Sequence, residues 1–96
     1  MKVQIHDEAI QDLVEGSRFY EMQSEGLGDY FLDSLFSDID SLQVYAGIHE
    51  VSYGYHRLLS KRFPYAVYYR VENEVAQVYA VVDCRRDPAW IRSRLT

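Results

Sequence analysis

Apolar residues change their spacing once along this chain, and the change separates a helical half from a strand half. Lys2 to Ile5 alternates, with Val3 and Ile5 on one face, and reads as a short opening strand. Asp7 stands where an N-cap is expected, and Ala9, Ile10, Leu13, Ser17 and Tyr20 then recur at helical spacing to about Ser24. Glu25-Gly26 breaks the pattern, with Gly28 read as part of the turn. Leu27, Phe31, Leu35, Ile39 and Leu42 form a second stripe that ends before Ala46-Gly47. Two amphipathic helices joined by a short Gly-containing loop predict an antiparallel hairpin. The acids Asp12, Glu15, Asp33 and Asp40 fall on the outer faces and read as solvated.

After Gly47 the period becomes two. Tyr65, Val67, Tyr69 and Val71 face one way, and Ala66, Tyr68, Arg70 and Glu72 the other, in a segment rich in aromatic and β-branched residues. Val75 to Val82 is a near-continuous apolar run interrupted by Gln77. Asn73-Glu74 supplies a tight turn before it, and Phe63-Pro64 separates the pair from an earlier strand over about Tyr55 to Arg62. The expected fold is α+β: a short N-terminal strand, an antiparallel helical hairpin packed on a small antiparallel β-sheet, and a short C-terminal segment. At 96 residues, 48% of them apolar, the chain is one domain, 1–96. A domain of that size buries roughly 60–65% of its unfolded surface.

The net charge of −5 conceals a division. Residues 1–50 hold 11 acidic side chains against Lys2 and Arg18, or −9, whereas residues 51–96 hold eight basic side chains against Glu72, Glu74, Asp83 and Asp87, or +4. Lys61-Arg62 and Arg85-Arg86 bracket the strand pair. In an antiparallel meander both pairs fall at the same end of the sheet, two strand spacings or roughly 10 Å apart. Such a rim binds phosphate or an acidic protein surface, since the guanidinium fork suits both; pairing of Arg85 and Arg86 with Asp83 and Asp87 is the internal alternative. Arg57 lies on the strand leading to this rim.

Other chemistry is sparse. Cys84 has no partner for an internal disulfide or a nucleophilic pair, and MKVQIHDEAI lacks the features of a signal peptide, so a cytoplasmic location is expected. No apolar run reaches the ~18 residues that span a bilayer, and no membrane association is expected. His6, His49 and His56 are scattered, without metal-ligand spacing, so no metal and no cofactor are expected. His56 beside Arg57 is read as a surface residue before a proton-transfer group. Tyr65 and Tyr69 read as core, while Tyr68, Tyr79 and Trp90 are freer to serve an interface.

The order of elements, with YHRLLSKRFPYAVYYRV and VYAVVDCRRDP, resembles the RelE/ParE toxin superfamily of bacterial type II toxin–antitoxin modules. YEMQSEGLGDYFLDSL is similar to the plasmid-stabilisation branch. The resemblance implies a toxin neutralised by a cognate antitoxin, acting either on DNA gyrase or on the ribosome as an mRNA endonuclease, with DNA contacted only through the antitoxin. In the nuclease branch a basic residue follows the tyrosine matched by Tyr65, and here that position is Ala66. A nuclease would have to rely on Arg57, Lys61 and Arg85. DCRRDP is similar to the ParE-type ending, for which no catalytic set is expected. A ParE-like toxin acting by binding is therefore expected, through Arg57, Lys61, Arg62, Arg85, Arg86 and Trp90. The alternatives are the endoribonuclease and a non-toxic member retained for antitoxin binding.

Overall fold

In the structure, a computed structural model describing residues 1–96, strand β1 (Lys2–Ile5) leads straight into helix α1 (Asp7–Glu21). His6 rather than Asp7 occupies the cap position, and Asp7 is the first helical residue. Its charge still acts favourably there, with Glu8, because the first helical turn presents unpaired N–H groups. The buried stripe is Ala9, Leu13, Gly16 and Tyr20, so Ile10, at 45% exposure, lies off it. Gly16 belongs to the stripe because a Cβ there would stand 2.6 Å from Cζ of Phe31.

Helix α2 (Leu27–Asp40) begins at Gly26, whose φ of 85° is the left-handed conformation that glycine adopts without strain. Gly28 lies inside the helix and not in the turn: a Cβ on it would come within 2.7 Å of the Ser17 carbonyl oxygen. The Glu21 carboxylate accepts the N–H groups of Gly26 (3.0 Å) and Gly28 (2.9 Å), so the end of α1 caps the start of α2. Those two bonds hold its carboxyl below the usual range. Leu42 falls on a separate turn, α3 (Leu42–Tyr45), since Ser41 donates its hydroxyl to the Asp38 carbonyl at 2.6 Å and ends α2.

Strands β2 (Val51–Ser52), β3 (Tyr55–Leu59), β4 (Tyr65–Glu72) and β5 (Val75–Asp83) pair antiparallel in sequence order. The sheet order is β1-β5-β4-β3-β2, and β1 joins β5 in parallel. The sheet is thus mixed rather than wholly antiparallel. The apolar run of β5 is that of a strand with neighbours on both sides. Asn73 and Glu74 turn with φ of 53° and 61°, as a tight hairpin of this hand requires. β3 stops at Leu59, before Lys61 and Arg62, and Ser60 N–H closes the turn on the Tyr65 carbonyl at 2.9 Å.

Each face of the sheet is covered. Tyr65, Val67, Tyr69, Val78 and Val81 pack beneath the hairpin of α1 and α2 with Phe31, Leu35 and Ile39. Ala66, Tyr68, Ala80 and Val82 pack beneath a C-terminal helix, α4 (Pro88–Leu95), through Ile91 and Leu95. The C-terminal segment is therefore an ordered helix, capped by Asp87, which accepts Ala89 N–H at 2.9 Å. Tyr68, at 2% exposure, is core and is not available to an interface.

Candidate functional site

The register of the meander decides where the basic residues meet. Leu59 sits opposite Ala66 and Tyr65 opposite Asp83, so the β3–β4 turn and the segment after β5 lie side by side. Cys84 N–H donates to the Pro64 carbonyl at 2.7 Å and fastens one to the other. Lys61, Arg62, Arg85 and Arg86 are thereby gathered on one rim, all exposed. Below them Phe63 anchors the turn, with its ring 4.8 Å from Tyr20, 5.1 Å from Phe31 and 5.5 Å from Tyr30. Aromatic packing of this kind contributes beyond the area it buries.

The four cations are not equivalent. Arg85 is taken by Asp83 through two side-chain bonds, Nε to Oδ1 at 3.0 Å and a terminal nitrogen to Oδ2 at 2.8 Å. That fork holds the Asp83 carboxyl below its usual range. Arg86 has no carboxylate partner, because Asp87 is occupied as the α4 cap; its guanidinium lies 4.0 Å over the Trp90 ring. Arg62 lies 5.8 Å over the Tyr30 ring and Lys61 forms no ion pair. Three uncompensated cations therefore share the rim with exposed Phe19, Tyr30, Leu59 and Trp90.

Arg57 is directed elsewhere. It faces α4, half-buried, donating to the Tyr68 hydroxyl at 3.1 Å and to the Cys84 sulfur at 3.5 Å. Ala66 is fully buried on that same face. Between α1 and α4 a cleft of about 190 Å³ opens over the end of β5, lined by Phe19, Tyr65, Asp83, Arg86 and Trp90 together with Asp12 and Glu15. Burial and the neighbouring Asp83 push the Tyr65 hydroxyl up to about 12, so it is a neutral donor at physiological pH.

Asp12 is the residue sequence reading misplaced. It is part-buried, accepting Val81 N–H at 2.9 Å and the Arg94 guanidinium at 2.7 Å, and burial raises its carboxyl above the usual range. The signal was long-range: β1 pairs with β5 only as far as Val78, and beyond its end the Val81 N–H is taken by this carboxylate and not by a strand.

The histidines serve structure away from the rim. His6 pairs with Gln77 at 2.7 Å and stacks on Tyr79, which is half-buried. His56 meets the His49 carbonyl at 2.7 Å, and His49 pairs with the Tyr69 hydroxyl, which also accepts Gly47 N–H at 2.9 Å. Burial, then the neighbouring His56, depresses the His49 imidazole. No group of three or more His, Cys, Asp and Glu side chains is placed to hold a metal ion, and no helix is long and apolar enough to cross a membrane.

No family model and no curated protein matches the chain. Among solved structures, a chain of the one titled "Chromosomal ParDE TA system from P. aeruginosa" superposes with a TM-score of 0.73 at 18% identity. The match covers 86% of this chain and 95% of that one, and shows that the two share a fold.

Proposed function

We propose that this protein is the toxin of a bacterial toxin–antitoxin pair, ParE-like, acting in the cytoplasm by binding an essential target and neutralised by a partner protein that covers the basic rim. The observation that carries this reading is the shared fold, over 86% of the chain, with a chain of a ParDE toxin–antitoxin structure. The rim adds the means of binding. Lys61, Arg62 and Arg86 lie uncompensated beside exposed Tyr30 and Trp90, a composition suited to an acidic, partly apolar partner segment.

Binding is favoured over catalysis. Of the trio a nuclease would use, Arg57 is engaged by Tyr68 and Arg85 by Asp83, which leaves Lys61 alone. Ala66, buried under α4, offers nothing to a scissile phosphate, and the Tyr65 hydroxyl is too weak an acid to serve as a base near neutral pH. DNA gyrase is the target that the ParE-like reading selects.

Tight induction of the chain in bacteria, with and without the small reading frame beside its gene, tests the proposal. Growth arrest relieved by the neighbour is the expected result, accompanied by inhibition of supercoiling by purified gyrase. Translation-dependent transcript cleavage with supercoiling intact would replace gyrase by the ribosome. Unimpaired growth with folded protein accumulating overturns toxicity; a neighbour that still co-purifies then identifies a non-toxic member kept for partner binding.

A further inference from the structure

The segment that joins α3 to β2 is fastened to the sheet by one buried hydroxyl. Tyr69 of β4 is fully buried, and its Oη accepts Gly47 N–H at 2.9 Å and pairs with Nδ1 of His49. These are the only hydrogen bonds of that hydroxyl, and an N–H cannot accept. The Tyr69 proton therefore has one acceptor, His49 Nδ1, which is the bare nitrogen of a neutral ring protonated at Nε2. Burial raises the Tyr69 hydroxyl, so it keeps this proton near neutral pH. Beside it, His56 of β3 stacks on the Tyr69 ring at 5.0 Å and meets the His49 carbonyl through Nδ1 at 2.7 Å. That nitrogen is a donor, and it donates whether His56 is neutral or charged.

We infer that His49 and Tyr69 form a proton-operated latch: neutral His49 holds residues 46–50 on the sheet, and a proton on His49 releases them together with strand β2. A proton at Nδ1 sets ring N–H against phenol O–H, two donors, and the buried hydroxyl loses its acceptor. Nothing nearby favours the charge. The ionisable groups facing His49 are Tyr69 on β4 and His56 on β3, α3 carries no charged side chain, and no carboxylate lies within ion-pair distance of either imidazole. Glu50, next along the chain, is exposed. Little else retains β2. It meets β3 through two residue pairs, Val51 with His56 and Ser52 with Tyr55, and the link is otherwise tied by Arg57 N–H to the Glu50 carbonyl at 2.8 Å. Because β2 is the outermost strand, its release bares the β3 edge, whose N–H and C=O groups can take another strand. Burial, then His56, depresses the His49 imidazole. The latch is therefore at full strength above the ordinary value of 6.5 and weakens as pH falls from there to the lower folded midpoint.

Amide hydrogen exchange of the intact chain, followed by NMR between about pH 5 and pH 8 and expressed as protection relative to the unfolded-chain rate at each pH, tests the latch. Protection at Gly47 and Arg57, the two amides that bond within the link, should be flat above 6.5 and fall below it by up to about tenfold per pH unit. The β4–β5 ladder should keep its protection throughout. His49→Asn, whose side-chain oxygen accepts but does not titrate, should hold the link at every pH, and Tyr69→Phe should leave Gly47 unprotected at every pH. Flat protection in the parent overturns the latch. A loss that persists in His49→Asn places the titration on His56 and overturns the role of His49, and a loss shared by the β4–β5 ladder is global unfolding and overturns a local device. Growth arrest has no part in this readout, so the latch and the toxin reading stand or fall separately.

Discussion

Asp12 and Asp83 are moved in opposite directions by their surroundings. Burial raises Asp12 although Val81 N–H and Arg94 both pull it down, whereas at Asp83 the hydrogen-bonded Arg85 outweighs burial and holds the carboxyl low. The signs differ accordingly. Between the ordinary value of 3.8 and Asp12's higher folded midpoint the native state holds more proton, so stability from this group falls as pH rises through that window. The stability from Asp83 is present above 3.8 and lost as pH falls through its lower folded midpoint. Carboxyl carbon shifts followed by NMR should place the two midpoints on either side of 3.8. Asn at position 12 keeps an oxygen for Val81, so in urea unfolding the stability of Asp12→Asn relative to the parent should rise across Asp12's window. A flat difference would mean that Asp12 is solvated after all. Nothing local in the sequence distinguishes Asp12 from Asp33 or Asp40, because its burial arises from a strand and a helix dozens of residues away. Arg85 and Asp83, two residues apart, were legible as a pair only as the alternative to a place for Arg85 on the binding rim.

At the scale of elements, the contact between α1 and α2 is set by two glycines. Gly16 admits the Phe31 ring, and Gly28 admits the Ser17 backbone, where the Ser17 hydroxyl also donates to the Gly28 carbonyl at 3.3 Å. Ala favours an isolated helix over Gly by up to about 1 kcal/mol. Gly28→Ala should nevertheless destabilise the protein by about 1–3 kcal/mol, because the obstacle 2.7 Å away is a carbonyl oxygen rather than a side chain that can turn aside. Thermal unfolding of Gly28→Ala decides it, and an unchanged or raised midpoint would show that the helices separate at little cost. The hairpin itself was readable from the two apolar stripes. The close crossing was not, since a glycine near a turn has the same local appearance whether it serves the turn or the packing. Three shorter features escaped for a related reason: β2 has two residues, α4 eight with little apolar segregation, and the parallel pairing of β1 leaves no trace in its alternation. Strand period shows that a strand exists and which way its side chains point, but not which neighbour it takes.

Across the whole molecule, the separation of charge along the sequence becomes a separation in space. The helical hairpin carries most of the 11 acids of the first half, and four of the eight basic residues of the second half, Lys61, Arg62, Arg85 and Arg86, reach solvent at the end of the sheet where two turns meet, while Arg94 pairs back to Glu8 and Asp12 of α1. The rim was legible because a meander with short turns leaves little freedom in which ends coincide. The inequality of its cations was not, since it depends on Trp90, Tyr30 and the α4 cap. Those local contacts say which charges remain available to a partner. Arg62→Ala with Arg86→Ala changes the net charge from −5 to −7. Neither residue forms an ion pair, so the fold should lose little, within about 0.5 kcal/mol for each substitution in thermal unfolding apart from their ring contacts. Association with the partner should weaken, and its dependence on salt should become shallower, because steering by uncompensated charges is what salt screens over about 8 Å at physiological ionic strength. Arg85→Ala alone should change association less than Arg86→Ala alone, since Asp83 already neutralises Arg85. Titrating the complex at several salt concentrations separates these cases. Equal losses from Arg85→Ala and Arg86→Ala, with parallel salt slopes, would show that the partner opens the Asp83 pair on binding and reads the rim as four charges rather than three.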